Sequence, residues 1–204
     1  ISFIGRPLYE AFIRDYTRKQ WGTDPKNLSA DIIRRLPVRA CYDVNYFSDT
    51  RQGIPFTGYN SLFDRLLDHP NITVECNREF SLSDLEATSA RVYYSGPIDK
   101  LFGYEFGALP WRSLRFELET LDAEDFQGTS VVNYTEASVP YTRIHEFKHY
   151  HPERKDVMKS GRTIIMREYP KNWKLGDEPY YPVNNDESSQ ILAEYKNKAD
   201  KYKN

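Results

Sequence analysis

Four short segments in the second half of the chain, residues 114–118, 130–134, 143–150 and 162–169, carry a β pattern, clearest where Leu114, Phe116 and Leu118 alternate with charged residues. A period of two sends successive side chains to opposite faces of a strand, which is a strand's signature and not a helix's. Loop residues or proline separate the four, a succession that fits an antiparallel sheet. Two earlier stretches, 72–76 with Ile72, Val74 and Cys76 in alternation and 91–94 ending at Gly96-Pro97, also read as short strands.

Helical patterns flank this β-rich part. Pro7 suits the first turn of a helix that runs to about Trp21, with Leu8, Phe12, Ile13 and Tyr16 at helical spacing. A second short helix is expected over 30–36, stopping before Pro37, because the residue before a proline is driven out of the helical region. Residues 42–58 read as loop. Tyr59, Leu62, Phe63, Leu66 and Leu67 form an amphipathic helix ending near His69-Pro70-Asn71, and residues 188–203 form a charged helix with Ile191, Leu192 and Tyr195 turned inward. The expected class is α+β: a short helical region followed by a mostly antiparallel sheet. The expected organisation is a helical region over 1–57, a connecting region over 58–100, the sheet over 101–184, and a C-terminal helix or tail over 185–204.

At 204 residues the chain can bury a real core as one or two compact units. A net charge of -2 gives no reason to expect nucleic acid or an anionic membrane as partner. No apolar run approaches the roughly 20 residues of a membrane span, and Ile1-Ser2-Phe3 lacks the basic flank of a signal peptide. Cys41 and Cys76 form neither a C-x-x-C pair nor a metal-ligand spacing, so both are expected as reduced thiols in a cytoplasmic protein.

The chemistry concentrates between residues 16 and 47. Tyr16-Thr17-Arg18-Lys19-Gln20-Trp21, then Arg34-Arg35-Leu36-Pro37-Val38-Arg39 and Asn45-Tyr46-Phe47, set flat rings beside guanidinium forks. A nucleoside diphosphate needs both, since its base stacks on aromatic faces and its pyrophosphate accepts bidentate guanidinium bonds. On spacing alone Phe12 and Tyr16 could equally be core aromatics, Arg35 an exposed helix cation and Arg143 a cross-strand ion-pair partner. His145-Glu146-Phe147-Lys148-His149 spells H-E-x-x-H, which on a helix places two imidazoles on one zinc. Here it falls in an alternating segment, and on a strand the two rings would stand about 13 Å apart at ~3.3 Å per residue. No metal is expected there.

The ordered set Tyr16-Thr17-x-Lys19-Gln20-Trp21, Arg35-Leu36-Pro37-Val38-Arg39, Asn45-Tyr46-Phe47 and Gln52-Gly53-Ile54-Pro55 resembles the UDP-galactopyranose mutase family. Further matches follow in register: Tyr94-Ser95-Gly96-Pro97-Ile98-Asp99, Arg112-Ser113-Leu114-Arg115-Phe116-Glu117, Gln127-Gly128 with Val131-Val132-Asn133-Tyr134, Val139-Pro140-Tyr141-Thr142-Arg143-Ile144, Arg167-Glu168-Tyr169-Pro170 and Tyr180-Tyr181-Pro182-Val183-Asn184. The family usually carries Thr where this chain has Ser95.

The resemblance implies a flavin-dependent isomerase that interconverts UDP-galactopyranose and UDP-galactofuranose in the service of polysaccharide synthesis, with N5 of reduced FAD as the nucleophile. It implies that Phe12 and Tyr16 flank the uracil and that Trp21 lines the substrate cleft. Arg35, on a mobile loop, and Arg143 opposite it would close on the pyrophosphate. Tyr46 and Tyr181 would contact phosphate, and Asn133 the sugar. Arg112 and Glu168 also fall on family positions, either as a structural ion pair or as site residues. Val74, Ser95, Gly96 and Pro97 resemble segments that return to a Rossmann-like FAD domain. The Gly-rich cradle of that domain is expected elsewhere, because no two of this chain's ten glycines stand in G-x-G spacing. The chain thus reads as the middle, substrate-side portion of such an enzyme, with UDP-galactose and UDP-galactofuranose as partners and a homodimer as in bacterial members. Two alternatives stay open: a non-catalytic nucleotide-sugar-binding fragment, and the substrate domain of another amine-oxidase-like flavoprotein.

Overall fold

The computed structural model describes residues 5–29, 32, 39, 41, 42 and 47–202. Most of the helix expected over 30–36, with Arg35, and also Tyr46, lie outside the described residues. The chain divides into two units, Ile1–Phe56 with Trp111–Pro182, and Thr57–Pro110 with Val183–Asn204.

The first unit is built on a five-stranded antiparallel sheet of β1 (Trp111–Leu121), β2 (Val131–Asn133), β3 (Arg143–Glu146), β4 (Thr163–Asn172) and β5 (Tyr181–Pro182), in the order β2-β3-β4-β1-β5. The antiparallel sheet is therefore as expected, with two corrections to its strands. The segment 143–150 is a strand only to Glu146, after which Phe147–Tyr150 form a 3₁₀ turn. β4 instead runs past Tyr169 through Pro170 to Asn172. Glu168 turns its carbonyl toward β3 to accept from the Thr142 N–H at 2.9 Å, so residue 170, two further on, also turns its nitrogen that way. β3 pairs no farther than Arg143 opposite Glu168, so no ladder bond requires the N–H that Pro170 lacks. Ile144 and Ile165 are buried on one face of the sheet and Leu114 on the other, and Thr142, Ser113 and Trp21 are also buried in this unit.

The N-terminal helix of this unit is composite. α1 (Gly5–Leu8) passes into a π-helical stretch, Tyr9–Arg14, and then into α2 (Asp15–Trp21). Gly22 ends α2 with φ +69° and donates its N–H to the Arg18 carbonyl at 2.8 Å. A side chain at Gly22 would be strained there, and its Cβ would sit 2.8 Å from Nη1 of Arg112.

The second unit holds the expected amphipathic helix, Gly58–Leu67, and a C-terminal helix, Asp186–Ala199, that starts two residues before the expected 188. The earlier start follows from a capping box in which Asn185 and Ser188 exchange side-chain and backbone bonds. Tyr195 is wholly buried as expected, with its hydroxyl donating to the Gly107 carbonyl at 2.8 Å and accepting from the Phe106 N–H at 3.1 Å. A second capping box, Ser81 with Asp84, starts the helix Leu82–Ala87, a signal overlooked in the sequence. The strands expected over 72–76 and 91–94 are not formed. An extended segment becomes a strand only when a neighbour takes up its backbone groups, and neither segment finds one among the described residues.

Candidate functional site

Register decides which side chains of the sheet can act together. Asn133 lies opposite Arg143, Arg143 opposite Glu168, and Glu168 opposite Phe116. Directly paired residues share a face, so these four form one row across β2, β3, β4 and β1. Arg112 pairs with both Asn172 and Tyr181 and, four residues from Phe116, lies on the same face. One face of the sheet therefore carries Asn133, Arg143, Glu168, Arg112 and Tyr181.

α2 comes to this face. Nη2 of Arg143 donates to the Tyr16 hydroxyl at 2.8 Å, and the ring of Trp21 lies 6.0 Å from that of Tyr181. The guanidinium of Arg112 fixes the end of the helix, donating to the carbonyls of Gln20 at 2.9 Å and Lys19 at 3.3 Å and to Oδ1 of Asn172. A cation on the last carbonyls of a helix satisfies acceptors that have no partner within the helix and complements its dipole. Burial pulls the Arg112 guanidinium below the usual arginine range, with no carboxylate to offset it. Arg112 and Glu168 thus do not pair with each other, and Arg112 acts as a cap on α2.

Glu168 serves Arg143 and His145 together. Its Oε1 lies 3.4 Å from Nε of Arg143 and accepts from the Thr142 hydroxyl at 3.3 Å, while Oε2 lies 3.5 Å from Nε2 of His145. The other ring nitrogen of His145 meets the Tyr150 hydroxyl at 2.7 Å. The Arg143 Nε is enclosed and faces the carboxylate out of line, so that contact is coulombic and not a formed hydrogen bond. Burial works against the charged form of Arg143, but Tyr16 and then Glu168 outweigh it and raise its pKa. Burial also raises the Tyr150 phenol, against the pull of Arg143. The result is a half-buried cation, held by a carboxylate at Nε and by a phenol at Nη2.

Phe12 lies in the π-helical stretch and is 61% exposed, so it is not a core aromatic, whereas Trp21 is 8% exposed. An interruption of this kind lengthens one turn and is common beside functional sites. Val74, Ser95, Gly96 and Pro97 belong to the second unit. Val74 is 54% exposed, and a Cβ at Gly96 would run into the Tyr94 ring, so the space beside this glycine is filled by the chain itself and forms no phosphate cradle. These four positions do not by themselves form a flavin seat.

The H-E-x-x-H segment divides its work. His145, with its partners Glu168 and Tyr150, belongs to the site row, while Glu146 points to the opposite face and ties down a loop. Its Oε1 accepts from the Phe126 N–H at 3.0 Å and the Thr163 hydroxyl at 2.7 Å, and its Oε2 from the Gln127 N–H at 2.9 Å. His149 follows in the 3₁₀ turn, with Nε2 3.1 Å from Oδ2 of Asp125 and 3.5 Å from Oε2 of Glu146. The strand geometry invoked against zinc is thereby corrected. The two imidazoles take different partners, and His149 with Asp125 and Glu146 brings ligand atoms within 4.8 Å of one another, a grouping that could hold a metal ion.

In the sequence His145 stands out only as a metal ligand, and nothing gives Lys19, Thr142 or Tyr150 a role of its own. Thr142 meets Glu168, 26 residues further on, and Tyr150 meets His145 only because the chain leaves the strand after Glu146 and turns back in a 3₁₀ turn. Lys19 stood inside a quoted motif, but its contacts lie more than 110 residues away.

A sequence model of the family described as UDP-galactopyranose mutase matches residues 11–204. The whole chain is 41% identical to a probable UDP-galactopyranose mutase of Klebsiella pneumoniae, covering 52% of that protein. It is 39% identical to a dTDP-fucopyranose mutase of Escherichia coli over 98% of the chain and 53% of the relative, and 31% identical to a UDP-galactopyranose mutase of Mycoplasma pneumoniae over 88% of the chain and 48% of the relative. The chain spans about half the length of the curated relatives it matches. The match sets aside the amine-oxidase-like alternative.

Proposed function

We propose, from the premise that this chain belongs to the UDP-galactopyranose mutase family, that it is the nucleotide-sugar side of an isomerase converting UDP-galactopyranose to UDP-galactofuranose. The observation that carries the reading is Arg143, a half-buried guanidinium bonded to Tyr16 of α2 and set in one row with Asn133 and Glu168. Breaking the anomeric bond puts charge on the departing diphosphate, and a fixed cation in a water-poor site stabilises that charge most. In this reading Phe12 and Tyr16 take the uracil, Trp21 and Tyr181 wall the cleft, Asn133 meets the sugar, and Arg35 and Tyr46 join Arg143 on the phosphates.

Reduced FAD supplies the covalent chemistry in a complete mutase. Its main seat belongs to parts of the mutase polypeptide that this chain does not cover, and the second unit returns to that Rossmann-like domain. No helix among the described residues is long and apolar enough to cross a membrane. Action in the cytoplasm as a homodimer belongs to the same proposal.

The near-equal identity to a dTDP-fucopyranose mutase supports a second reading, in which the nucleotide is dTDP. Titrating the full-length protein with UDP and dTDP tests both. UDP binding that falls by about 1.5–3 kcal/mol in Arg143→Ala, the usual worth of a charge-assisted bond, supports the first. Tighter dTDP binding selects the second. Loss of neither nucleotide on removing Arg143 refutes both.

A further inference from the structure

The ammonium of Lys19 is surrounded by carbonyl oxygens: Nζ lies 2.7 Å from that of Tyr134 and 3.0 Å from those of Glu136, Val139 and Tyr141. All four belong to one segment, the connection between β2, which ends at Asn133, and β3, which begins at Arg143. A lysine head group normally sits in water, and burial pulls this one below the usual lysine range, opposed by Glu136 and Asp15. Four carbonyl dipoles replace the lost water, much as they would around an alkali cation. A neutral amine has two N–H groups and a lone pair that would face oxygen, so the cage selects the charged form.

The connection has few other bonds to hold its shape. The Tyr134 N–H donates to the Thr142 carbonyl at 2.9 Å and the Val139 N–H to that of Glu136 at 3.3 Å, and the rings of Tyr134 and Tyr141 meet edge to face at 4.9 Å. Lys19 stands one turn beyond Tyr16 on α2, so the helix that holds Arg143 by a phenol also holds the loop just before Arg143 by a cation.

We propose that Lys19 is a positioning residue that folds the β2–β3 connection around its ammonium, fixing Asn133 and Arg143 at its two ends against Tyr16 for binding of the nucleotide diphosphate. The nucleotide part of this inference rests on the function proposed above, whereas the anchoring of the loop does not. Lys19 itself touches no reacting atom.

The test uses the full-length protein with Lys19→Met, which keeps the aliphatic stem and removes the charge, and Lys19→Ala, which empties the cage. UDP titration and amide hydrogen exchange across residues 134–141 are read on each. Lys19→Met is expected to weaken UDP by about tenfold, as befits loss of a charged donor shared by four carbonyls, and to speed exchange in the loop. Added n-butylamine is expected to restore both in Lys19→Ala and to do nothing to the parent protein or to Lys19→Met, whose stem fills the cage. Should Lys19→Met fail to fold, amine-dependent recovery of Lys19→Ala decides alone. Unchanged exchange in Lys19→Met, or no amine effect on Lys19→Ala, overturns the anchor. Faster exchange with unaltered UDP affinity overturns the positioning role. If the parent protein binds no UDP, the function proposed above falls and so does the positioning role, while the exchange data still decide the anchor.

Discussion

Replacing Glu168 by glutamine and Arg143 by methionine, singly and together, measures how firmly the site cation is held. The two charges approach to 3.4 Å, and at an effective dielectric near 20 that separation is worth roughly 5 kcal/mol of attraction. Two effects reduce it. Both ions lost water on folding, and the Arg143 side chain is still 26% exposed, so solvent screens part of the field. A net coupling of about 1.5–2.5 kcal/mol remains. Arg143→Met should be the costlier single change, at about 2–3 kcal/mol, because it leaves a carboxylate only 7% exposed with the Thr142 hydroxyl and His145 as its partners. Glu168→Gln leaves Arg143 its bond to Tyr16 and should cost about 1–2 kcal/mol. All three tryptophans, Trp21, Trp111 and Trp173, lie in the unit that contains the pair, so urea unfolding followed by their fluorescence reports that unit. With a slope of about 2 kcal/mol per molar, the larger single change moves the midpoint by roughly 1 M. Single effects that add to within about 0.5 kcal/mol in the double variant would show that the two groups are neighbours without being a pair.

Arg112→Met should destabilise the same unit by about 2–4 kcal/mol, because the carbonyls of Lys19 and Gln20 and the amide of Asn172 lose a buried donor. A midpoint within error of the parent's would remove Arg112 as the cap of α2. In the second unit the Asp84 carboxyl is lowered from 3.8 to about 2 by the Ser81 hydroxyl, the Ser81 N–H and Arg78. A folded value below the unfolded one means that this stabilisation is complete above about pH 4 and fades as the pH falls toward 2. NMR titration of the Asp84 carboxyl in the parent protein checks the value, and a midpoint near 3.8 would contradict it.

The local grammar of the chain was legible. The β pattern over 114–118, 130–134 and 162–169 announced β1, β2 and β4, and helical spacing announced α2 and Gly58–Leu67, because side-chain order reports the period of an element. The ordered motifs carried the family, which the matched relatives then supported. Turns were less legible: the β pattern through His145 continues to Tyr150 although the strand ends at Glu146, and the Ser81–Asp84 capping box opens a helix of only 6 residues. What the sequence could not contain was register. Only the pairing of Arg143 with Asn133 on one side and Glu168 on the other decides that these residues share a face, since a slip of one residue would send Arg143 to the opposite side. The same holds for the partners of long side chains. Arg112 closes a helix some ninety residues earlier, and Lys19 gathers carbonyls from a loop more than a hundred residues later. Carbonyls are common to every residue, so a cation that binds them leaves no mark in the sequence of the loop it holds, and only the folded chain shows which loop that is.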